Sequence, residues 1–141
     1  MSEQLRIPRP LADEMVAHLE EERPNEGCGL VAGIEGRVTK VIRMTNAAGS
    51  PVRYSLDPKE QFAAYRLIED GSLELAGVFH SHTHTEAFPS PTDVRLASED
   101  VPYIIVSLAD KPADIRAFRI LKESWDAEDG EIVEVPVVID G

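Results

Sequence analysis

A succession of short apolar runs, bounded by glycine, proline and polar residues, limits the folds open to this chain of 141 residues. Runs of about four to eight residues between turn signals are typical of strands, whereas helices need longer periodic segments. Glu35-Gly36 is a turn signal between the first two runs and predicts a β-hairpin. The predicted strands cover residues 28–34, 38–44, 75–79, 101–108, 115–121 and 132–139.

Helical signals interrupt this series of strands. Pro10 suits the first turn of a helix over residues 10–22, which carries an apolar stripe at helical spacing. Asp57-Pro58 predicts the start of a second helix, and Gly71 is placed to be its C-terminal cap. A third and shorter helix is predicted over residues 91–98.

The order of these elements predicts the fold class. Grouped strands with interspersed helices favour a mixed α/β (α+β) fold. The length fits one domain over residues 1–141. Neither a Gly-x-Gly-x-x-Gly sequence nor a Walker-type loop is present, so nucleotide binding has no local support.

The charge balance excludes several function classes. The chain has 14 Lys+Arg against 26 Asp+Glu, a formal net charge of −12. Phosphate backbones and anionic membranes require clustered basic residues, which the sequence lacks, so we expect no nucleic-acid or membrane partner. No apolar run is long enough to span a bilayer, and no signal-peptide pattern is seen at the N-terminus. With a single cysteine, these features predict a cytoplasmic protein.

A pair of histidines follows the apolar run 76–79. If His80 and His82 are extended, both imidazoles point to the same face, because residues i and i+2 of a strand do so. They can then converge on one zinc ion, which takes nitrogen ligands at about 2.0–2.1 Å. Asp93 follows a predicted loop over residues 81–89 that is long enough to fold back. Two histidines, one carboxylate and one water predict a catalytic zinc site.

Structural explanations compete with the catalytic one. Ser90 is a natural N-cap, and Asp93 is the N3 carboxylate of a capping box. The sequence alone favours this capping role over a catalytic role for the two residues. The two roles are compatible, because a helix start would hold both side chains rigidly. His84 is interpreted as a loop residue that contacts substrate, together with Thr83. Cys28 is a candidate nucleophile, but its glycine and aliphatic neighbours favour a buried core thiol.

The polar pattern resembles that of a known family. His80-x-His82, seven residues and then Ser90-x-x-Asp93 match the signature of the JAMM metalloproteases, also called MPN-plus, JAB or Mov34. Residues 24–33, in which a glutamate precedes a Cys-Gly-aliphatic strand, resemble the other half of that signature. The order of elements agrees over roughly residues 5–125. The chain is similar to the compact bacterial members. Residues 44–47, 79–93 and 96–99 especially resemble the Mec-type sulfur-carrier-cysteine peptidases.

The resemblance implies a single-domain MPN/JAB1-like fold, similar to that of cytidine deaminases, with one zinc ion per chain. It implies that His80, His82 and Asp93 are the zinc ligands and that water is the fourth. It implies that Glu26 is the general base and that Ser90 donates a hydrogen bond to the oxyanion. From the residues alone, Glu26 would be interpreted as one more acid in a solvated run.

The resemblance also implies a substrate and partner. The implied substrate is a ubiquitin-like or sulfur-carrier protein with a C-terminal Gly-Gly tail, which is cut at the amide or isopeptide bond after that tail. Release of cysteine from a carrier adduct and trimming of a precursor tail both stay open. One alternative is a non-catalytic MPN-type scaffold, although such members usually lose a ligand. Another is a nucleoside deaminase, which needs a Pro-Cys-x-x-Cys motif that one cysteine cannot supply. Base rates favour a homodimer.

Overall fold

The computed structural model describes residues 3–141. Within them, eight strands form one sheet in the order β7-β6-β5-β4-β2-β3-β1-β8, with three helices packed on it. The fold is mixed α/β, as the sequence predicts. The elements are β1 Leu5–Pro8, α1 Arg9–Glu21, β2 Cys28–Ile34, β3 Arg37–Met44, α2 Pro58–Asp70, β4 Glu74–His82, α3 Pro91–Leu96, β5 Tyr103–Ser107, β6 Asp114–Leu121, β7 Glu131–Val135 and β8 Val137–Asp140.

The two ends of the sheet meet at Pro136. β7 pairs with β6 at one end of the strand order, and β8 pairs with β1 at the other. A flat sheet of eight strands would hold these ends roughly 34 Å apart, yet only Pro136 separates β7 from β8. The sheet therefore curls until its edges are neighbours, and the carbonyl of Pro136 accepts the Leu5 N–H at 2.9 Å. The prediction of one strand over residues 132–139 is wrong, because a proline N cannot continue the ladder.

Two further differences come from strand pairing. The four-residue β1 was not predicted, since it becomes a strand only by pairing with β3 and β8. β4 continues through Ser81 and His82, where the sequence predicts a loop. Both residues pair with β5, Ser81 with Val106 and His82 with Ser107. The neighbouring strand thus extends β4 into the segment that carries the histidines.

The helices follow their local signals. α1 has Pro10 in its first turn and buries Ala12, Met15 and Leu19. The Asp57 side chain caps α2 by accepting two backbone N–H groups, and Gly71 is its C-cap, as predicted. α3 begins as predicted and ends at Leu96, two residues early. Among the described helices, none is long and apolar enough to cross a membrane.

The helices lie on opposite faces of the sheet. α1 packs in a core cluster with Phe79 of β4, whereas α2 and α3 share a second cluster with Val78. Because side chains alternate along a strand, His80 and His82 point to the same face as Val78. The histidine pair therefore lies on the face that carries α3.

Candidate active site

His80 and His82 lie at the carboxyl end of β4, with 0% and 5% of their surface exposed. His80 is opposite Cys28 of β2, and His82 is opposite Ser107 of β5. The sheet thus holds the backbone under both imidazoles from two sides. The predicted convergence of the two rings on one face is confirmed.

The start of α3 supplies a carboxylate. Ser90 Oγ accepts the Asp93 N–H at 3.0 Å, and Asp93 Oδ2 accepts the Ser90 N–H at 3.0 Å, which completes a capping box. The same Oδ2 lies 2.9 Å from His82 Nε2 and 3.3 Å from His80 Nε2. The cap that begins the helix therefore also aims Asp93 at the histidines.

These three side chains form a triangle of possible ligands, called the His-His-Asp triangle below. The two Nε2 atoms are 3.3 Å apart, and the three residues are buried. Three atoms at these separations can all lie about 2 Å from one point, the distance at which zinc binds nitrogen and oxygen. Two imidazoles and one carboxylate also match the donor sets of zinc sites that keep a position open. The residues present therefore fit a zinc ion.

Contacts outside the triangle orient both rings. His82 Nδ1 lies 2.8 Å from the carbonyl oxygen of Glu86. Because a carbonyl only accepts, Nδ1 must carry the hydrogen. A neutral His82 therefore presents its Nε2 lone pair to the triangle, whereas a protonated His82 donates from Nε2 to Asp93. The His80 ring stacks on Tyr54, with centroids 4.4 Å apart and an interplanar angle of 24°. Among the described residues, His80 Nδ1 has no hydrogen-bond partner.

The triangle carries an ionised carboxylate. Burial opposes ionisation of Asp93, but hydrogen bonds from His80 and His82 outweigh it and hold its pKa well below the ordinary value. Burial lowers the pKa of His82, but its hydrogen bonds to Asp93 and to the Glu86 carbonyl outweigh that effect, so the net pKa is raised. A buried negative charge between two imidazoles attracts a cation.

Glu26 lies beside the triangle, in the segment between α1 and β2. Its surface is 4% exposed, and Oε1 has no hydrogen-bond partner among residues 3–141. Burial first, and then the charge of Asp93, raise the pKa of Glu26 to about 8, against the opposing effect of His82. A buried carboxylate oxygen without a partner is placed to exchange a proton at this site.

Two clefts open on the site. A cleft of about 200 Å³, called the Glu26 cleft below, is lined by Glu26, His82, Thr83, His84 and Ser90, among others. The two predicted substrate contacts thus line the same cleft as the proposed base. Thr83 is buried and His84 is exposed at its edge.

A second cleft of about 260 Å³, called the Asp93 cleft, contains Asp93 together with Arg53, Tyr54 and Leu96. The loop over residues 47–55 lines both clefts. A larger cavity of about 560 Å³ lies between α1 and the segment before β6, and none of the predicted site residues line it.

The structure brings together every residue that the sequence nominated for the site. His80, His82 and Asp93 form the triangle, and Glu26 and Ser90 line the adjoining cleft. Their chemical roles stay predictions.

Cys28 is fully buried, and burial raises its pKa to about 12, as befits a core thiol. Sequence reasoning assigned no role to Tyr54 or Asn46. Tyr54 follows a loop rich in turn residues, and Asn46 belongs to the 44–47 segment that resembles the Mec-type peptidases.

The comparison with protein families agrees with this geometry. The model of prokaryotic homologues of the JAB domain matches residues 8–121. The chain belongs to this family. The match spans the whole site, from Glu26 to Asp93, and includes every strand from β2 to β6.

Named relatives lie close in sequence. The chain is 44% identical over 131 residues to a CysO-cysteine peptidase of Mycobacterium tuberculosis, covering 90% of this chain and 85% of that one. It is 41% identical over 102 residues to a probable TtuB-protein conjugate cleaving protease of Thermus thermophilus, covering 72% and 68%.

Solved structures share the fold. A protein of Desulfitobacterium hafniense, solved in solution, superposes with a TM-score of 0.84 at 32% identity, covering 96% of this chain and 92% of that one. A JAB1/MPN domain protein of Archaeoglobus fulgidus superposes with a TM-score of 0.57 at 18% identity, covering 96% and 98%. The JAB1/MPN-like fold implied by the sequence is confirmed.

Proposed function

We propose that the protein is a zinc-dependent peptidase or isopeptidase that cuts after the C-terminal Gly-Gly tail of a sulfur-carrier or ubiquitin-like protein. The observation that carries this proposal is the buried His-His-Asp triangle beside Glu26, whose Oε1 has no hydrogen-bond partner among the described residues. The activities named for the Mycobacterium and Thermus relatives support the substrate class. A single cysteine supports a reducing compartment such as the cytoplasm.

His80, His82 and Asp93 would hold one zinc ion per chain. When bound, zinc supplies a Lewis acid that polarises the scissile carbonyl and lowers the pKa of a water molecule towards about 7. The three ligands contribute one negative charge against the two positive charges of zinc, so the metal centre itself would stay cationic beside the ionised Glu26.

Glu26 accepts the proton of the attacking water and passes it to the leaving amine nitrogen. A cation in the triangle lowers the pKa of Glu26 from about 8, which keeps the carboxylate ionised and basic at neutral pH. Because Glu26 must reach the leaving nitrogen, the leaving residue belongs in the Glu26 cleft. Thr83 and His84 are then the side chains that contact it.

Ser90 stabilises the charge that develops on the carbonyl oxygen. Its Oγ already accepts the Asp93 N–H, and among the described residues its hydroxyl hydrogen has no acceptor. That hydrogen can be donated to the oxyanion, a contribution of about 3–4 kcal/mol at comparable sites. Because the leaving residue is assigned to the Glu26 cleft, the acyl side of the substrate is assigned to the Asp93 cleft, the other cleft that reaches the triangle.

The role of the metal and of Glu26 is tested with purified protein. The expected content is about one zinc ion per chain, lost on chelation together with activity. Glu26→Gln should keep the zinc and abolish cleavage. Retained cleavage by Glu26→Gln would contradict the proposed role. Metal-free protein that neither gains zinc nor cleaves would instead favour a non-catalytic scaffold.

The substrate is tested with the Gly-Gly-ended carriers of the source organism, each extended by one cysteine or by several residues. Mass spectrometry of the products distinguishes release of cysteine from trimming of a longer tail. A variant carrier whose Gly-Gly is replaced by Ala-Ala is the matched control and should be cut more slowly.

A further inference from the structure

One buried asparagine connects the 47–55 loop to the backbone of Glu26. Asn46 follows β3 and is 9% exposed. Its Nδ2 donates to the carbonyl oxygens of Glu26 at 2.8 Å and Arg53 at 3.0 Å. Its Oδ1 accepts the N–H groups of Ala48 and Ser55, both at 3.0 Å. Both ends of the amide are therefore fully engaged.

The backbone of Glu26 and of its neighbour Gly27 is also held by three other hydrogen bonds. The Glu26 N–H donates to the carbonyl of Ser50 at 2.9 Å, which ties it to the same loop. The Gly27 N–H donates to Ser81 Oγ at 2.9 Å, and the Ser81 N–H returns a bond to the Gly27 carbonyl at 3.1 Å. Ser81 lies between the two histidines of the triangle, so these bonds set Glu26 relative to the proposed metal ligands.

We propose that Asn46 is a positioning residue for Glu26, an inference that rests on the proposed role of Glu26 as general base. Because Glu26 Oε1 has no hydrogen-bond partner among the described residues, the position of the carboxylate depends on its backbone and packing. The Nδ2 of Asn46 binds that backbone directly. Only a short amide can donate to two carbonyls and accept two N–H groups at this position.

The same asparagine also positions the substrate clefts. The loop that it closes contributes Val52 to the Glu26 cleft and Tyr54 to the Asp93 cleft. The Asn46 side chain therefore positions both the proposed base and the loop residues that line the substrate clefts. A misplacement of about 1 Å at a catalytic group costs on the order of 100-fold in rate. Loss of the Asn46 hydrogen bonds should therefore lower kcat.

The test compares Asn46→Asp with Asn46→Ala and with Thr45→Ala as the matched control. Asn46→Asp keeps the acceptor for Ala48 and Ser55 but cannot donate to Glu26. Thr45→Ala removes an adjacent hydrogen bond, from Thr45 Oγ1 to Glu60 Oε2 at 2.8 Å, that does not involve Glu26. Zinc content, thermal unfolding, kcat and KM are measured for each zinc-loaded variant on the same carrier substrate.

Asn46→Asp, which keeps the Oδ1 contacts to the loop, should keep one zinc and lose kcat by on the order of 10- to 100-fold, with KM changed by less than about 3-fold. Asn46→Ala should lose kcat as well and raise KM, because it also releases the loop that lines the clefts. Thr45→Ala should stay within about 2-fold of the parent in both constants. Wild-type kcat in Asn46→Asp would overturn the inference. A fall in kcat of Asn46→Asp that is accompanied by an equal rise in KM and a lower melting temperature would also overturn it. Asn46 would then stabilise the loop without positioning Glu26. If Glu26→Gln remains active, the proposed function fails instead.

Discussion

Burial of Glu26 suits its proposed catalytic role but lowers the stability of the folded protein at neutral and higher pH. Its pKa in the folded, metal-free protein is about 8, against an ordinary value of 4.5, mainly because of burial. The folded state therefore binds this proton more tightly than the unfolded chain does. As pH rises from about 4.5 to 8, the unfolded chain ionises first, and the free energy of unfolding falls.

Replacing Glu26 by glutamine should remove this fall in the free energy of unfolding, because glutamine does not ionise. In the presence of chelator, we expect Glu26→Gln to be more stable than the parent by a few kcal/mol at pH 8, since one pKa unit is worth about 1.4 kcal/mol. At about pH 4.5 the two proteins should be nearly equal. Urea unfolding across this pH range measures the difference. Glu21→Gln, an exposed neighbour, should show no such pH-dependent gain, and a pH-independent gain in Glu26→Gln would contradict the explanation.

At the scale of elements, α3 combines a helix cap with the proposed oxyanion donor. Ser90→Ala removes the acceptor for the Asp93 N–H. We expect a loss of about 1 kcal/mol in stability from the missing N-cap. We also expect a fall in kcat of on the order of 100- to 1,000-fold from the missing hydroxyl donor. Ser90→Thr keeps the hydroxyl and should retain most of the stability. A Ser90→Ala enzyme with normal kcat would leave Ser90 as a cap alone.

The central strand β2 is tightly packed between β3 and β4. A Cβ on Gly29 would lie 2.5 Å from the Phe79 ring and from the Ile42 carbonyl oxygen. Gly29→Ala should therefore destabilise the protein by about 1–3 kcal/mol, as overpacking does elsewhere. Gly71→Ala is the matched control, because its Cβ would have only ordinary contacts. Equal unfolding free energies for the two variants would show that β2 can shift at little cost.

At the scale of the whole molecule, the net charge of −12 affects association more than folding. Several arginines are already engaged in exposed ion pairs, including Arg116 with Glu134 and Arg119 with Glu3. We expect the remaining excess of carboxylates to steer polyanions away and to favour a carrier with a basic face.

We therefore expect the association rate with the true carrier to fall as sodium chloride is raised from about 50 to 500 mM, because the Debye length shortens. Stopped-flow mixing measures the rate. A carrier variant with its basic face neutralised is the control and should lose the salt dependence. A rate independent of salt for the parent pair would leave the acidity as a solubility feature.

Sequence alone determined the elements whose signals are local. The proline and cap residues of α1 and α2, and the apolar run over β2, predicted those elements almost to the residue. His80, His82 and Asp93 were predicted as a group because strand alternation and a short return loop follow from spacing. The importance of Glu26 came from its place in a family signature and had no basis in local chemistry.

The tertiary structure decided what depends on residues distant in the chain. β1 and the end of β4 are strands because other strands pair with them, and Pro136 sends β7 and β8 to opposite ends of a curled sheet. Burial separates Glu26 from the solvated acids next to it and raises its pKa. The hydrogen bonds that connect Asn46 to Glu26 and to the loop appear only in the tertiary structure. Pairing and burial depend on contacts between segments that are distant in the chain. Periodicity and capping depend on a few neighbouring residues, so only periodicity and capping can be predicted directly from the sequence.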